Sequence, residues 1–128
     1  MTHPPVALGR IAQIAMTAHD IDRATAFYRD ALGMTHLFSA PPGMAFFDAA
    51  GVRLMLSLPE PAHDHPGSIV YFDVPDIEAA HAQLTARGVQ FVDAPHQVAV
   101  LGSHALWLTF FTDTEGNTLA LQSMRPVA

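Results

Sequence analysis

The segment "HDIDRATAFYRDALGM", His19 to Met34, decides how the chain is read, because an altered copy of it follows at "PDIEAAHAQLTARGVQF", Pro75 to Phe91. Each copy carries Asp-Ile-acid-x-Ala. Asp20 and Asp76 stand where a short polar side chain accepts a hydrogen bond from the free N–H groups of a first helical turn. Asp22 and Glu78 follow where the helix dipole favours negative charge. Ile21, Ala24, Phe27, Tyr28, Ala31 and Leu32 then make one apolar stripe at helical spacing, and Ile77, Ala80 and Leu84 a thinner one. Gly33 and Gly88 sit where helices end on a glycine. The spacing predicts helices over Asp20–Leu32 and Asp76–Arg87.

Working outward, an apolar strand precedes each helix, over Arg10–Ala18 and Gly67–Val74. Shorter strands follow each one. In the first half they are Thr35–Ala40, Met44–Asp48 and Val52–Leu58, separated by the turn compositions "PPG" and "DAAG". In the second half they are Gln90–Asp93, His104–Thr112 and Thr118–Ser123. The stretch "PEPAHDHPG", Pro59 to Gly67, is a proline-rich linker. The expectation is one α+β domain over 1–128, with βαβββ modules at about 8–58 and 67–124 and a linker at 59–66.

Composition narrows the function. Half of the residues are apolar and 14% charged, as in a folded domain. A net charge of −6 argues against nucleic acid and anionic membrane as partners, both of which need a basic face. Cysteine is absent, so disulfides, zinc-thiolate sites and thiol nucleophiles are excluded. No stretch reads as a signal peptide or a membrane span, and the expected location is the cytoplasm.

A second stretch, "FFTDTEGNTLAL", Phe110 to Leu121, reads as strand, polar turn and strand. With "IAMTAHDIDRATAFYRDALGM", Ile14 to Met34, and the internal repeat, it resembles the vicinal oxygen chelate superfamily. That group includes glyoxalases, extradiol dioxygenases, and bleomycin resistance proteins. The resemblance implies two βαβββ modules forming a curved mixed sheet around a cup, and copies paired as a homodimer.

The resemblance also implies four metal-ligand positions. One lies on the first strand of each module, seven residues before the capping Asp: Gln13 and Ile69. The other lies on each last strand, four residues after the turn glycine: Met55 and Ala120. Gln13 and Ile69 are 56 residues apart, as are Asp20 and Asp76. An amide, a thioether and two alkyl groups are not a donor set for a hard divalent ion, which takes imidazole or carboxylate. No cofactor is expected, and the ligand positions do not support a metal.

Strand alternation then assigns the cup lining as Gln13, Arg53, Met55, Ser57, Ile69, Tyr71, Asp73, Ala120 and Gln122. Leu54, Leu56, Val70, Phe72, Val74, Leu119 and Leu121 go to the opposite, helix-covered face. An inward Arg53 needs a partner, either Asp73 or a ligand carboxylate or phosphate. His96 and His104 flank "QVAVLGS", expected as a loop at the rim, and are the acid–base candidates. Trp107 is a further rim candidate.

Three functions follow. One is a binding protein holding a small apolar or amphipathic molecule. Another is a metal-dependent lyase, epimerase or dioxygenase with non-standard ligands drawn from His96, His104, Asp73 and Gln13. The third is a metal-independent enzyme with a His or Tyr71 as acid or base.

Overall fold

The computed structural model describes residues 10–59 and 67–127. The tail with His3 and most of the expected linker, with His63 and His65, lie outside the described residues. Both capping aspartates act as the sequence implies: Asp20 Oδ1 accepts the Arg23 N–H at 3.0 Å and Asp76 Oδ1 the Ala79 N–H at 3.1 Å. They open α1 (Ile21–Ala26) and α2 (Ile77–Ala86). Helix α2 closes on Gly88, φ +91°, with Gly88 N–H on the Thr85 carbonyl and Val89 N–H on that of Leu84. That pair of bonds satisfies two end carbonyls and buries Val89 against the helix end.

The first helix departs from the expected plain α-helix. It holds one residue more between its capping Asp and terminal Gly than the second does. A π-helical turn, Phe27–Ala31, takes up the extra residue, and Leu32 N–H reaches back five residues to the Phe27 carbonyl at 3.0 Å.

The strands form two mixed sheets. The first contains β1 (Gln13–Thr17), β2 (Thr35–Ala40), β3 (Met44–Ala49) and β4 (Val52–Ser57), in the order β1-β4-β3-β2. The second contains β5 (Val70–Asp73), β6 (Gln90–Phe91), β7 (His96–Leu101), β8 (His104–Thr112) and β9 (Thr118–Pro126), in the order β5-β9-β8-β6, with β7 also on β8. The parallel pairs β1/β4 and β5/β9 are equivalent, so the repeat in sequence is a repeat in topology. Among the described residues no strand of one sheet pairs with the other, so the curved surface consists of two sheets rather than one.

The segment Gln97–Ser103, expected as a loop, is mostly strand. β7 pairs antiparallel with β8 as far as Leu101 opposite His104, and the chain turns on Gly102, φ +66°. Val98, Val100 and Leu101, residues common in strands, carry the signal that the flanking histidines obscured. β6 and β7 lie in succession along the same edge of β8. They are one edge strand interrupted at Asp93, whose carboxylate accepts the Phe110 N–H at 2.9 Å and the Thr109 hydroxyl at 3.0 Å. Counted this way, both modules are βαβββ.

The helix-covered faces of both sheets meet in a single core. Met16, Tyr28, Phe47, Leu54 and Leu56 come from module one, and Ile77, Val89, Phe111, Leu119 and Leu121 from module two. Val70, Phe72 and Val74 pack against it. The sequence-derived outer set is therefore the core face, and the opposite face of each sheet is left open.

Candidate functional site

Cross-strand register fixes the open faces. In module one, Gln13, Arg53, Asp48 and Thr35 form one row across β1, β4, β3 and β2. Ala15, Met55, Phe46 and Phe38 form the next, and Thr17, Ser57, Met44 and Ala40 the third. In module two, Asp73, Gln122, Leu108 and His96 form one row across β5, β9, β8 and β7, and Tyr71, Ala120 and Phe110 another. Partners opposite one another in a ladder share a face. Ile69 precedes β5 and is 45% exposed.

By register the expected lining residues other than Ile69, which lies in no ladder, share the open faces, divided between the modules. Phe38, Phe46, Leu108 and Phe110 belong there too, although the sequence reading did not assign them. Their alternation opposite Met55 and Ala120 was the available signal. Phe46 and Phe47 are adjacent yet serve opposite faces, as do Phe110 and Phe111.

Arg53 does not pair with Asp73. Its Nε donates to Gln13 Oε1 at 2.8 Å, and its guanidinium carbon stands 5.1 Å from the centre of the Phe46 ring. Asp73 lies on the other sheet. The Gln13 amide also reaches Met55 Sδ, at 3.8 Å. Two of the four family ligand positions are therefore in contact with each other, within one module.

Ala120 is fully buried although it lies on an open face. Tyr71 and Phe110 flank it in the ladder, and their rings meet edge to face with centres 6.0 Å apart. With the two rings on either side of it, the Ala120 methyl group is closed off from solvent.

The histidine candidates do not converge. His96 begins β7 and turns Nδ1 to the Ala94 carbonyl at 2.8 Å, while His104 follows the far end of the same strand, with Nδ1 3.0 Å from Ser103 Oγ. A six-residue strand puts them roughly 16 Å apart. His96 and Asp73 lie on opposite edges of the second sheet, three strand spacings or about 14 Å apart. Trp107 is on the core side of β8 rather than at a rim, with Arg125 4.0 Å from its ring centre and its indole N–H without a partner among the described residues. Among the described residues no three His, Asp or Glu side chains are grouped to hold a metal ion.

The polar contacts between the modules centre on the β8–β9 turn. Asp113 accepts four hydrogen bonds, from the Tyr28 hydroxyl at 2.7 Å and from Glu115 N–H, Asn117 N–H and the Asn117 amide, each at 2.8 Å. Burial, then the charge of Asp113, push the Tyr28 phenol well above its ordinary range, so it remains a donor. Glu115 accepts the N–H groups of His19 and Asp20 and pairs with Arg23 at 2.8 Å. Burial opposes its charge, but these donors outweigh burial and hold its carboxyl at about 2.

With two βαβββ modules and the open faces established, the family follows from comparison. The model of the Glyoxalase/Bleomycin resistance protein/Dioxygenase superfamily matches residues 10–121. The chain belongs to this superfamily. It is 31% identical to a glyoxylase-like domain-containing protein of Didymella fabae, across 88% of this chain and 92% of that one. The fold is similar to that of a superfamily member from Sphaerobacter thermophilus, at 23% identity and TM-score 0.77 over 91% of this chain and 98% of the other. It is also similar to lactoylglutathione lyase from Agrobacterium tumefaciens, at 22% identity and TM-score 0.73 over 94% and 95%. At such identities the structures establish the fold alone. No helix among the described residues is long and apolar enough to cross a membrane.

A metal of the kind that superfamily members hold does not fit the donor set here. Of the four positions only Gln13 offers an oxygen, and that oxygen already accepts from the Arg53 guanidinium, whose charge would repel a cation. Met55 offers a soft thioether, Ile69 nothing, and Ala120 lies beneath two rings.

Proposed function

We propose that this superfamily member binds a small apolar or amphipathic molecule on its concave faces, as a binding protein. The observation that carries this reading is the chemistry of the four ligand positions. Gln13, Met55 and Ile69 are suited to contact a carbon skeleton and unsuited to a hard ion, and the buried Ala120 offers no donor at all. The open faces add exposed apolar groups. Ile69, Phe38 and Tyr71 are each 45% exposed on the described chain. A metal site assembled from His96, His104 and Asp73 is disfavoured by their separations, and no observation favours Tyr71 as a base.

A homodimer is also part of the proposal, since the chain exposes several large apolar side chains. Light scattering at micromolar concentration should report twice 13.8 kDa. A thermal-shift screen of aromatic and amphipathic compounds should raise the melting temperature with at least one class. A liganded-condition crystal structure with the concave faces packed solid by the chain's own side chains would overturn the reading.

A further inference from the structure

The chain has six cationic side chains of the Lys/Arg type, all of them arginine. Five place a terminal guanidinium nitrogen on a protein oxygen. Arg10 and Arg87 use the carbonyls of Gly51 and Ala31, while Arg23, Arg29 and Arg125 use the carboxylates of Glu115, Asp30 and Glu78. Arg53 differs. Only its Nε is engaged, by Gln13, and neither terminal nitrogen has a partner among the described residues. Asp48 stands directly across the ladder, yet its carboxylate takes the Gly51 N–H instead.

The guanidinium is nevertheless held in place. The Gln13 bond fixes the Nε edge, and the Phe46 ring supports the plane from 5.1 Å. The outer edge, with two parallel N–H donors, matches a carboxylate bidentately. Beside it the surface becomes apolar. Met55 occupies the next row, and Phe38 stacks on Phe46 with ring centres 4.4 Å apart. Met55 and Ala15 also border a cavity of about 590 Å³ that extends past Thr17, Met44 and Ser57. That volume is in the range small-molecule sites occupy.

We propose that the module-one face is a site for a monocarboxylate on an apolar body. The carboxylate sits on the free edge of Arg53, and the body crosses Met55 into the cavity. This rests on the binding function proposed above and names the ligand class.

The probes are 2-naphthoate and its neutral analogue 2-naphthamide, titrated calorimetrically into the intact protein. The Gln13 side-chain amide is followed by NMR. Naphthoate should bind about tenfold tighter than the amide and shift the Gln13 signal. In Arg53→Met, an exposed strand position that should leave the melting temperature unchanged, the two should bind alike. Arg53→Lys, which keeps the charge without the fork, should restore part of the preference. Equal binding of both probes to the wild type overturns the carboxylate anchor and leaves binding on the face standing. A preference that survives in Arg53→Met overturns the assignment to Arg53. Binding of neither probe at millimolar concentration overturns the site and counts against the proposed function as well.

Discussion

The turn after β3 and the turn after β8 occupy equivalent places in the two modules, and they do different work. Both begin with Asp, at 48 and 113, and both contain a glycine of positive φ, Gly51 and Gly116. Turn one is solvent-exposed, and its side-chain hydrogen bonds stay within its own module: Asp48 to Gly51 N–H, and Arg10 to the Gly51 carbonyl. Turn two is docked on the other module. It holds Tyr28, the start of α1 and the Thr17 carbonyl through Asp113, Glu115 and Asn117. Duplication explains the common backbone. It does not explain the cohesion of the modules, which depends on side chains that only one copy carries.

The largest test of that asymmetry is Asp113→Ala. It removes the carboxylate acceptor from the buried Tyr28 hydroxyl, which keeps only Met16 Sδ at 3.8 Å, and from three further N–H donors. Each buried unpaired group costs about 1–3 kcal/mol, and partial relaxation should leave a loss of about 3 kcal/mol or more. Asp48→Ala, where water replaces the single exposed bond, should cost about 0.5 kcal/mol. Urea unfolding of both variants measures the difference, and equal losses would sink the one-sided latch.

The open faces differ in the same manner. Met55 and Ala120 are equivalent positions, but Met55 is half-buried while Ala120 is sealed. Ala120→Glu must separate the Tyr71 and Phe110 rings or bury a carboxylate, at about 2–3 kcal/mol. Met55→Glu can turn its charge to water beside Arg53 and should cost less than about 1 kcal/mol. If thermal melts rank the two in the opposite order, the rings do not close over Ala120.

Glu115 gives the latch a pH dependence. Its carboxyl falls from an ordinary 4.5 to about 2 in the folded chain, so its contribution is fully present above 4.5. It fades as acid takes the pH down through 2. The side chain is only 1% exposed, but its partner Arg23 faces solvent, so about 1–2 kcal/mol is expected. Glu115→Gln should be less stable than wild type by that amount at pH 6. The gap should close between pH 4.5 and 2, and a constant gap across that range would show that the charge is not what matters.

The fold was legible because capping aspartates, terminal glycines and strand alternation are local signals, and the repeat supplied each twice. The open-face register followed from the positions that the family resemblance implied, extended along each strand by period two, which is why Gln13, Arg53 and Met55 were placed on one face. What escaped was set by cross-strand contact. Nothing near Arg53 in sequence announces Gln13, forty residues away, as its hydrogen-bond partner. The ring pair over Ala120 joins positions on β5 and β8. β7 was hidden by histidines at its ends and by the interruption at Asp93. The π turn was legible in principle, since the first helix has one more residue between cap and glycine than the second.

The smallest test reverses the sign. Turn one is a two-residue hairpin connection between Ala49 and Val52, with both central residues at positive φ: Ala50 at +52° and Gly51 at +92°. Such a turn suits the right-handed twist of the strands but favours Asn or Gly at its first position. An alanine there places its Cβ against the backbone, at a cost of order 1 kcal/mol. Ala50 is exposed, so no packing offsets that strain. Asn tolerates the left-handed region and adds a side chain able to bond locally. Ala50→Asn should therefore stabilise the chain by about 0.5–1 kcal/mol, raising the urea midpoint without changing the slope. The docked turn offers no such gain, because its left-handed position is already Gly116. If Ala50→Asn lowers the midpoint, turn one makes contacts that favour alanine, and the contrast between a free turn and a docked one would have to be redrawn.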